Sequence, residues 1–311
     1  MLTKIFRALL SLCLLLPAGT LTAAEKKIVL VAGSQSHGSG QHEFWAGSLF
    51  LQKCLGSVPG IVTAIYSNGW PAQASAFDGA SAVFIYCDGG DGHPAIRGDH
   101  LKVLGELMDK GVGLGCAHYA VEVPKDKGGQ EFLKWIGGYF ETYYSVNPHW
   151  TADFKKLPDH PITRGVAPFK INDEWYYHMR FPEGMQNVTP ILTALPPENT
   201  RGQPGAVDAH GGNPEVQKHK GESEHVMWAI ERPDGGRGFG FTGGHFHRNW
   251  GNDNFRKTIL NAILWIAKVD VPANGVESRV TQEELKQNLD DKEEKKKPAK
   301  TPAPPTKHEK K

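Results

Sequence analysis

Four short apolar runs constrain this chain more than any other feature. They are Ile28-Val29-Leu30-Val31, residues 61–66, Ala82-Val83-Phe84-Ile85 and residues 111–116. Between the first two, Phe44, Trp45, Leu49, Phe50, Leu51 and Leu55 recur at helical spacing. Between the last two, residues 97–110 place Leu101, Leu104, Leu107 and Met108 on one helical face. Strands apolar on both faces, alternating with helices, predict a parallel sheet covered on both sides. Such a sheet gathers its strand-to-helix turns along one edge, where ligands bind in open α/β folds.

The remaining chain extends this pattern. Residues 129–137 read as another helix. Residues 138–225 are rich in Tyr, Trp, Pro and His and lack long periodic runs. They predict short strands and loops laid over the sheet, not a separate domain. Residues 226–230 and 239–242 flank Pro233-Asp234-Gly235-Gly236 and read as a hairpin. The run then stops at Gly243-Gly244-His245-Phe246-His247. Asn252-Asp253-Asn254 follows, ahead of Phe255, Ile259, Leu260, Ile263, Leu264 and Ile266, a capped helix. The expected fold is a doubly wound α/β domain. Its sheet is mainly parallel, with helices on both faces and an irregular β/loop insertion.

Both ends of the 311-residue chain read differently from the middle. Residues 1–24 resemble a secretory signal: Lys4 and Arg7, an apolar run over 8–16, then Thr22-Ala23-Ala24. The run is too short to span a bilayer, and Leu12 before Cys13 does not suit a lipoprotein signal. The expectation is a cleaved signal and a periplasmic or secreted product with no transmembrane span. The domain itself is expected over 25–272, with 273–311 as a linker and a Lys/Pro-rich tail. That tail, from about residue 290, has too few apolar residues to offset its chain entropy, and it reads as disordered. Without these ends the net charge is about −5, which excludes a nucleic-acid footprint. Cys54, Cys87 and Cys116 lack the spacing of a disulfide framework.

The candidate chemistry is imidazole-rich. His37, His42, His93, His118, His245 and His247 all fall at predicted strand ends. On an extended segment His245 and His247 face one side, which suits a divalent ion such as zinc if a carboxylate is added. In Asp173-Glu174-Trp175-Tyr176, carboxylates sit among aromatics, where a raised pKa suits general acid or base work. Gly113-Leu114-Gly115-Cys116-Ala117-His118 is a strand running into a tight turn, which could present Cys116 or His118 as an elbow residue. A Cys116 thiolate paired with His245 would make a hydrolase. The Gly-bearing loops after the first and third runs match neither dinucleotide nor phosphate-loop patterns.

Together these stretches resemble the ThuA-like family, the trehalose-utilisation proteins of the class I glutamine amidotransferase-like superfamily. The resemblance rests on residues 28–42, 113–118, 173–176 and the Gly-Arg-Gly-Phe-Gly-Phe-Thr-Gly-Gly-His stretch ending at His245. It implies a flavodoxin-like sheet and a role in sugar metabolism, on disaccharides or keto-sugars. Amidotransferases carry a Cys elbow and a late His-x-Glu. Here His118 stands at the elbow, and two residues after His245 and His247 stand His247 and Asn249, not Glu, so glutaminase activity is not expected.

The reading that emerges is an exported enzyme acting on a carbohydrate, such as a disaccharide or keto-sugar glycoside. His118, His245 and Glu174 would carry the acid–base chemistry of a lyase or hydrolase. His42, His247, Asp88, Trp175 and Tyr176 would line the pocket. The alternatives are a non-catalytic carbohydrate-binding module and the Cys–His hydrolase. The oligomeric state is not encoded in any of these patterns.

Overall fold

Strand β1, Lys26–Ala32, shows how the sequence builds the sheet. Ile28 and Leu30 face one core layer and Val29 and Val31 face the other, the period of two of an extended chain. All four side chains are fully buried, so this strand can only lie inside a sheet covered on both faces. The protein is described by a computed structural model over residues 25–292.

The other strands are β2 (Ile61–Tyr66), β3 (Ala80–Tyr86), β4 (Gly113–Ala117), β5 (His149–Phe154), β6 (Phe169–Glu174), β7 (Val188–Ala194), β8 (Glu224–Glu231) and β9 (Arg237–Phe241). The helices are α1 (Phe44–Leu55), α2 (His100–Met108), α3 (Gly129–Trp135), α4 (Pro214–Lys218) and α5 (Asp253–Ile266). A seven-stranded sheet runs β2-β1-β3-β4-β9-β8-β7. The first five of these strands are mutually parallel. β8 is antiparallel to β9, and β7 to β8. The parallel part has the flavodoxin-like winding, with its order reversing between β1 and β3.

Helices α1 and α5 pack on one face through Phe44, Leu51, Ile259 and Ile263. Helices α2 and α3 cover the other through Leu104 and Phe132. Asn252 caps α5, its side-chain oxygen accepting from the Phe255 amide at 3.0 Å. Among the described residues no helix is long and apolar enough to cross a membrane.

The expected strands and long helices are present, with ends moved by one to three residues. Two features differ from the sequence reading. Within 138–225, β5 and β6 form a two-stranded antiparallel layer as expected, but β7 joins the main sheet at its edge. Residues 273–292 also pack on the domain instead of leaving it as a linker. Val276, Leu285 and the Lys292 side chain are all buried. The signal-like residues 1–24 and tail residues 293–311 lie outside the described residues.

Candidate functional site

The carboxyl ends of β1, β4 and β9 deliver three histidines to one point. His42 sits between β1 and α1, His118 directly follows β4, and His245 follows β9 after Thr242-Gly243-Gly244. The loops are bent by unusual backbone: φ is +46° at His42, +57° at His118 and +113° at Gly244. Left-handed non-glycine residues persist only where their surroundings hold them, and they cluster at functional sites. Glycine is required at 244 by that angle. At 243 a Cβ would lie 2.6 Å from the Trp175 ring.

His42 Nε2 lies 2.9 Å from His118 Nε2 and 3.1 Å from His245 Nδ1. The Glu174 carboxylate, at the end of β6, completes the group. Its Oε2 is 3.0 Å from His245 Nδ1 and 3.5 Å from His118 Nε2. These four ligand atoms all lie within 4.8 Å of one another.

The outer hydrogen bonds decide which ring nitrogens carry protons. His118 Nδ1 is 3.0 Å from the Thr242 carbonyl, which only accepts, so Nδ1 is the protonated nitrogen. His42 Nδ1 is 2.8 Å from Asp88 Oδ1, and the same logic applies. Both Nε2 lone pairs therefore point inward, at each other. Burial, then the neighbouring imidazoles, pushes the His42 pKa down to about 2. Burial lowers His118 as well, reinforced by His42. Protonation does not readily relieve the contact, whereas a cation would.

Burial alone would raise the Glu174 pKa. The His245 hydrogen bond, with the His118 and His149 rings close by, holds it below the usual carboxylate value. Three imidazoles and one carboxylate are a donor set for zinc or a similar divalent transition ion. Tetrahedral ligands bonded at about 2.0–2.1 Å would be separated by roughly 3.3 Å, and the four contacts above bracket that value. His42 and His118 also have the outer acceptors, a carboxylate and a backbone carbonyl, that orient metal-binding histidines. His245 Nε2 has no partner among the described residues.

Asp173, the neighbour of Glu174, does the positioning. Its side chain is fully buried and accepts from five donors. These are the amides of Glu174 (2.8 Å), Gly244 (2.8 Å), His245 (3.1 Å) and Phe246 (3.3 Å), and Asn249 Nδ2 (3.0 Å). Thus one carboxylate fixes the turn that carries His245 while the next enters the cluster. Burial raises the Asp173 pKa and the donors oppose it. Every partner is a donor, so the acceptor-only ionised form is the one this pocket fits.

The remaining expected site residues separate clearly. Asp88 is partly exposed and touches the cluster through His42. The Tyr176 hydroxyl lies 3.4 Å from both His118 Nε2 and Glu174 Oε2. His247 does not join His245: the chain is extended only to Phe246 and turns into a short 3-10 helix at His247. His247 is buried beside the Leu285 segment instead. Trp175 offers no exposed ring face. Its ring is fully buried against Phe154, Phe241 and Phe255. Cys116 is buried away from solvent as well. It lies wholly inside the α2/α3 core layer, where burial pushes its thiol pKa far up. Cys54, Cys87 and Cys116 are all free and buried.

Two rim histidines were not singled out as site residues from sequence. His37 stacks on His42 with ring centroids 3.5 Å apart. His149 Nε2 lies 3.5 Å from Glu174 Oε1, and its side chain is half exposed. His37 was visible as a strand-end histidine. His149 carried no signal beyond its aromatic surroundings.

A flavodoxin-like α/β domain with a buried His/carboxylate cluster at its sheet edge is the class defined by this geometry. The chain belongs to the ThuA family: the family model described as trehalose utilisation matches residues 82–266. That description places the family in carbohydrate metabolism. No curated protein matches the chain. Among solved structures, a ThuA-like protein from Bacteroides uniformis has a TM-score of 0.56 at 16% identity, covering 81% of this chain and 95% of its own. Another from Parabacteroides merdae has a TM-score of 0.53 at 14% identity, covering 83% of this chain and 94% of its own. At these identities the likeness is one of fold.

Proposed function

We propose that the protein is an exported, metal-dependent enzyme acting on a carbohydrate, with a disaccharide or keto-sugar glycoside as substrate. The observation that carries the metal is the inward convergence of the His42 and His118 lone pairs with His245 and Glu174. The carbohydrate class is supported by the family's description. A divalent ion held by these four groups would polarise a carbonyl or hydroxyl oxygen of the substrate by taking it as a fifth ligand.

The chain's own groups divide the remaining work. His42, His118, His245 and Glu174 hold the ion. Asp88 and the Thr242 carbonyl keep the His42 and His118 tautomers fixed. The Tyr176 hydroxyl reaches the cluster from its buried side and can orient a substrate oxygen. The half-exposed His149, next to Glu174, and His37, stacked on His42, are placed to exchange a proton with solvent. Proton removal next to a carbonyl, leading to lyase or hydrolase chemistry, is the reaction class this set supports.

The test is product analysis on zinc- or manganese-loaded protein with a panel of disaccharides and their 3-keto forms, next to calorimetry. Turnover that is lost in His118→Ala and Glu174→Gln, with folding intact, is expected. Sugar binding without turnover under every metal would replace the enzyme with the carbohydrate-binding module. Cleavage of the signal is tested separately by the mature N-terminus, expected after residue 24; an intact Met1 on exported protein would refute the cleavage.

A further inference from the structure

The His42 loop is closed from outside by the last described residues of the chain. Lys292 Nζ lies 3.1 Å from Glu43 Oε1 and 3.5 Å from Asp290 Oδ2. It also donates to three carbonyls of the loop: Gln41, His42 at 3.4 Å and Gly38 at 3.5 Å. The lysine side chain is 3% exposed and that of Glu43 is wholly buried. Glu43 is shared between loop and strap, accepting from the Gly40 amide at 2.8 Å and the Asp290 amide at 2.8 Å. Gln35 Nε2 donates to the Asp291 carbonyl at 2.8 Å.

This ion pair does not hang from a loose end. Upstream, the Val276 amide donates to Asn261 Oδ1 at 2.8 Å. The buried Arg256 holds Ser278 through Nε to Oγ (2.7 Å) and Nη2 to the carbonyl (2.9 Å). Leu285 is buried, within 2.8 Å of where a Cβ on Gly251 would stand. The strap therefore runs from α5 across the His247 turn and ends at the backbone of His42.

At His42 the backbone is left-handed, a conformation that needs support from both sides. Its amide donates to the His245 carbonyl at 3.1 Å, and its carbonyl accepts from Lys292. A buried charge that loses its partner is strongly destabilised, so removing the ammonium would leave Glu43 driving the loop open towards water.

We propose that Lys292 and Glu43 are positioning residues: their buried ion pair, carried in by the 276–292 strap, holds the His42 loop so that His42 is preset as a ligand. This rests on the metal reading for its consequence, but not for the loop order itself. The experiment uses full-length protein and Lys292→Ala, with Lys292→Arg as the conservative variant. Zinc affinity is measured by chelator competition, amide hydrogen exchange over residues 36–43 without metal, and Tm by thermal scan. In Lys292→Ala, zinc binding is expected to weaken about 10–100-fold, the range typical for partners that orient metal ligands. Exchange over 36–43 is expected to accelerate at least tenfold, while exchange in β1 and β3 stays unchanged. Lys292→Arg is expected to recover part of both. Unchanged exchange over 36–43 would overturn the strap, whatever the metal does. Faster exchange with unaltered zinc affinity would overturn the ligand-positioning role. If the parent protein binds no zinc while exchange accelerates as stated, the metal reading fails and the strap stands as a loop lock.

Discussion

Replacing Asp173 with Asn keeps the side chain's shape and removes only its charge and one acceptor. Oδ2 accepts from the Gly244 amide and Asn249 Nδ2, and Oδ1 from the amides of Glu174, His245 and Phe246. An amide must turn its NH2 towards one of these groups. The less costly choice faces Gly244 and Asn249, setting donors against donors. Hydrogen bonds to a charged group contribute about 1.5–3 kcal/mol each, so losing two costs roughly 3–6 kcal/mol. Total stability is about 5–15 kcal/mol for a domain, so the loss is a large fraction. At roughly 2–4 °C per kcal/mol for a domain near this size, Tm should fall by about 6–24 °C. Urea and thermal unfolding of Asp173→Asn beside the parent protein read this directly. The variant should also bind zinc more weakly, because the His245 turn loses its anchor. A stability change below about 1 kcal/mol would refute the reasoning, since it would mean that the carboxylate is already protonated or its donors can turn to other acceptors.

Further outcomes follow from the same geometry. In metal-free protein, His42 and His247 have pKa values lowered from 6.5 to about 2 and about 4, mainly by burial. The unfolded chain takes up these protons first, so stability is full above pH 6.5 and falls as pH drops through it. Each histidine costs about 1.4 kcal/mol per pH unit over that range; a urea midpoint that is flat from pH 7 to 5 would contradict this. Gly113→Ala should lower stability by more than about 3 kcal/mol or prevent folding, because a Cβ there would stand 2.1 Å from the Ile266 carbonyl oxygen; wild-type Tm would contradict it. Cys116 should resist iodoacetamide in native protein and react only after unfolding, as its burial demands. Mass spectrometry showing rapid native alkylation would overturn that.

Much of this site was legible in the sequence because strand periodicity locates strand ends. His42, His118 and His245 stand where apolar runs stop, and a doubly wound sheet brings those ends together. Glu174 was readable as a carboxylate among aromatics, but the raised pKa expected of it is reversed by the neighbouring histidines. What failed did so for physical reasons. Pairing His245 with His247 assumed an extended backbone, but the segment turns at His247. Aromatic character said that Trp175 packs, not whether it packs inward or towards solvent. Edge strand β7 was hidden by Pro190 within it, a residue that breaks a ladder except at edges. The strap was hidden because its sequence is polar; its only fully inserted apolar side chains are Val276 and Leu285, and its final anchor is a lysine. Asp173 gave no sign that it, not its neighbour, collects the backbone of the His245 turn.

The central claim is that three imidazoles and one carboxylate form a metal centre. X-ray absorption at the zinc edge, on full-length protein loaded with one equivalent and dialysed, tests it most directly. The expected result is one retained ion per chain, bound by three imidazole nitrogens and carboxylate oxygen at about 2.0–2.2 Å, with retention lost in His118→Ala. Failure to retain zinc or any other first-row divalent ion, or a shell with fewer than two imidazoles, would contradict it.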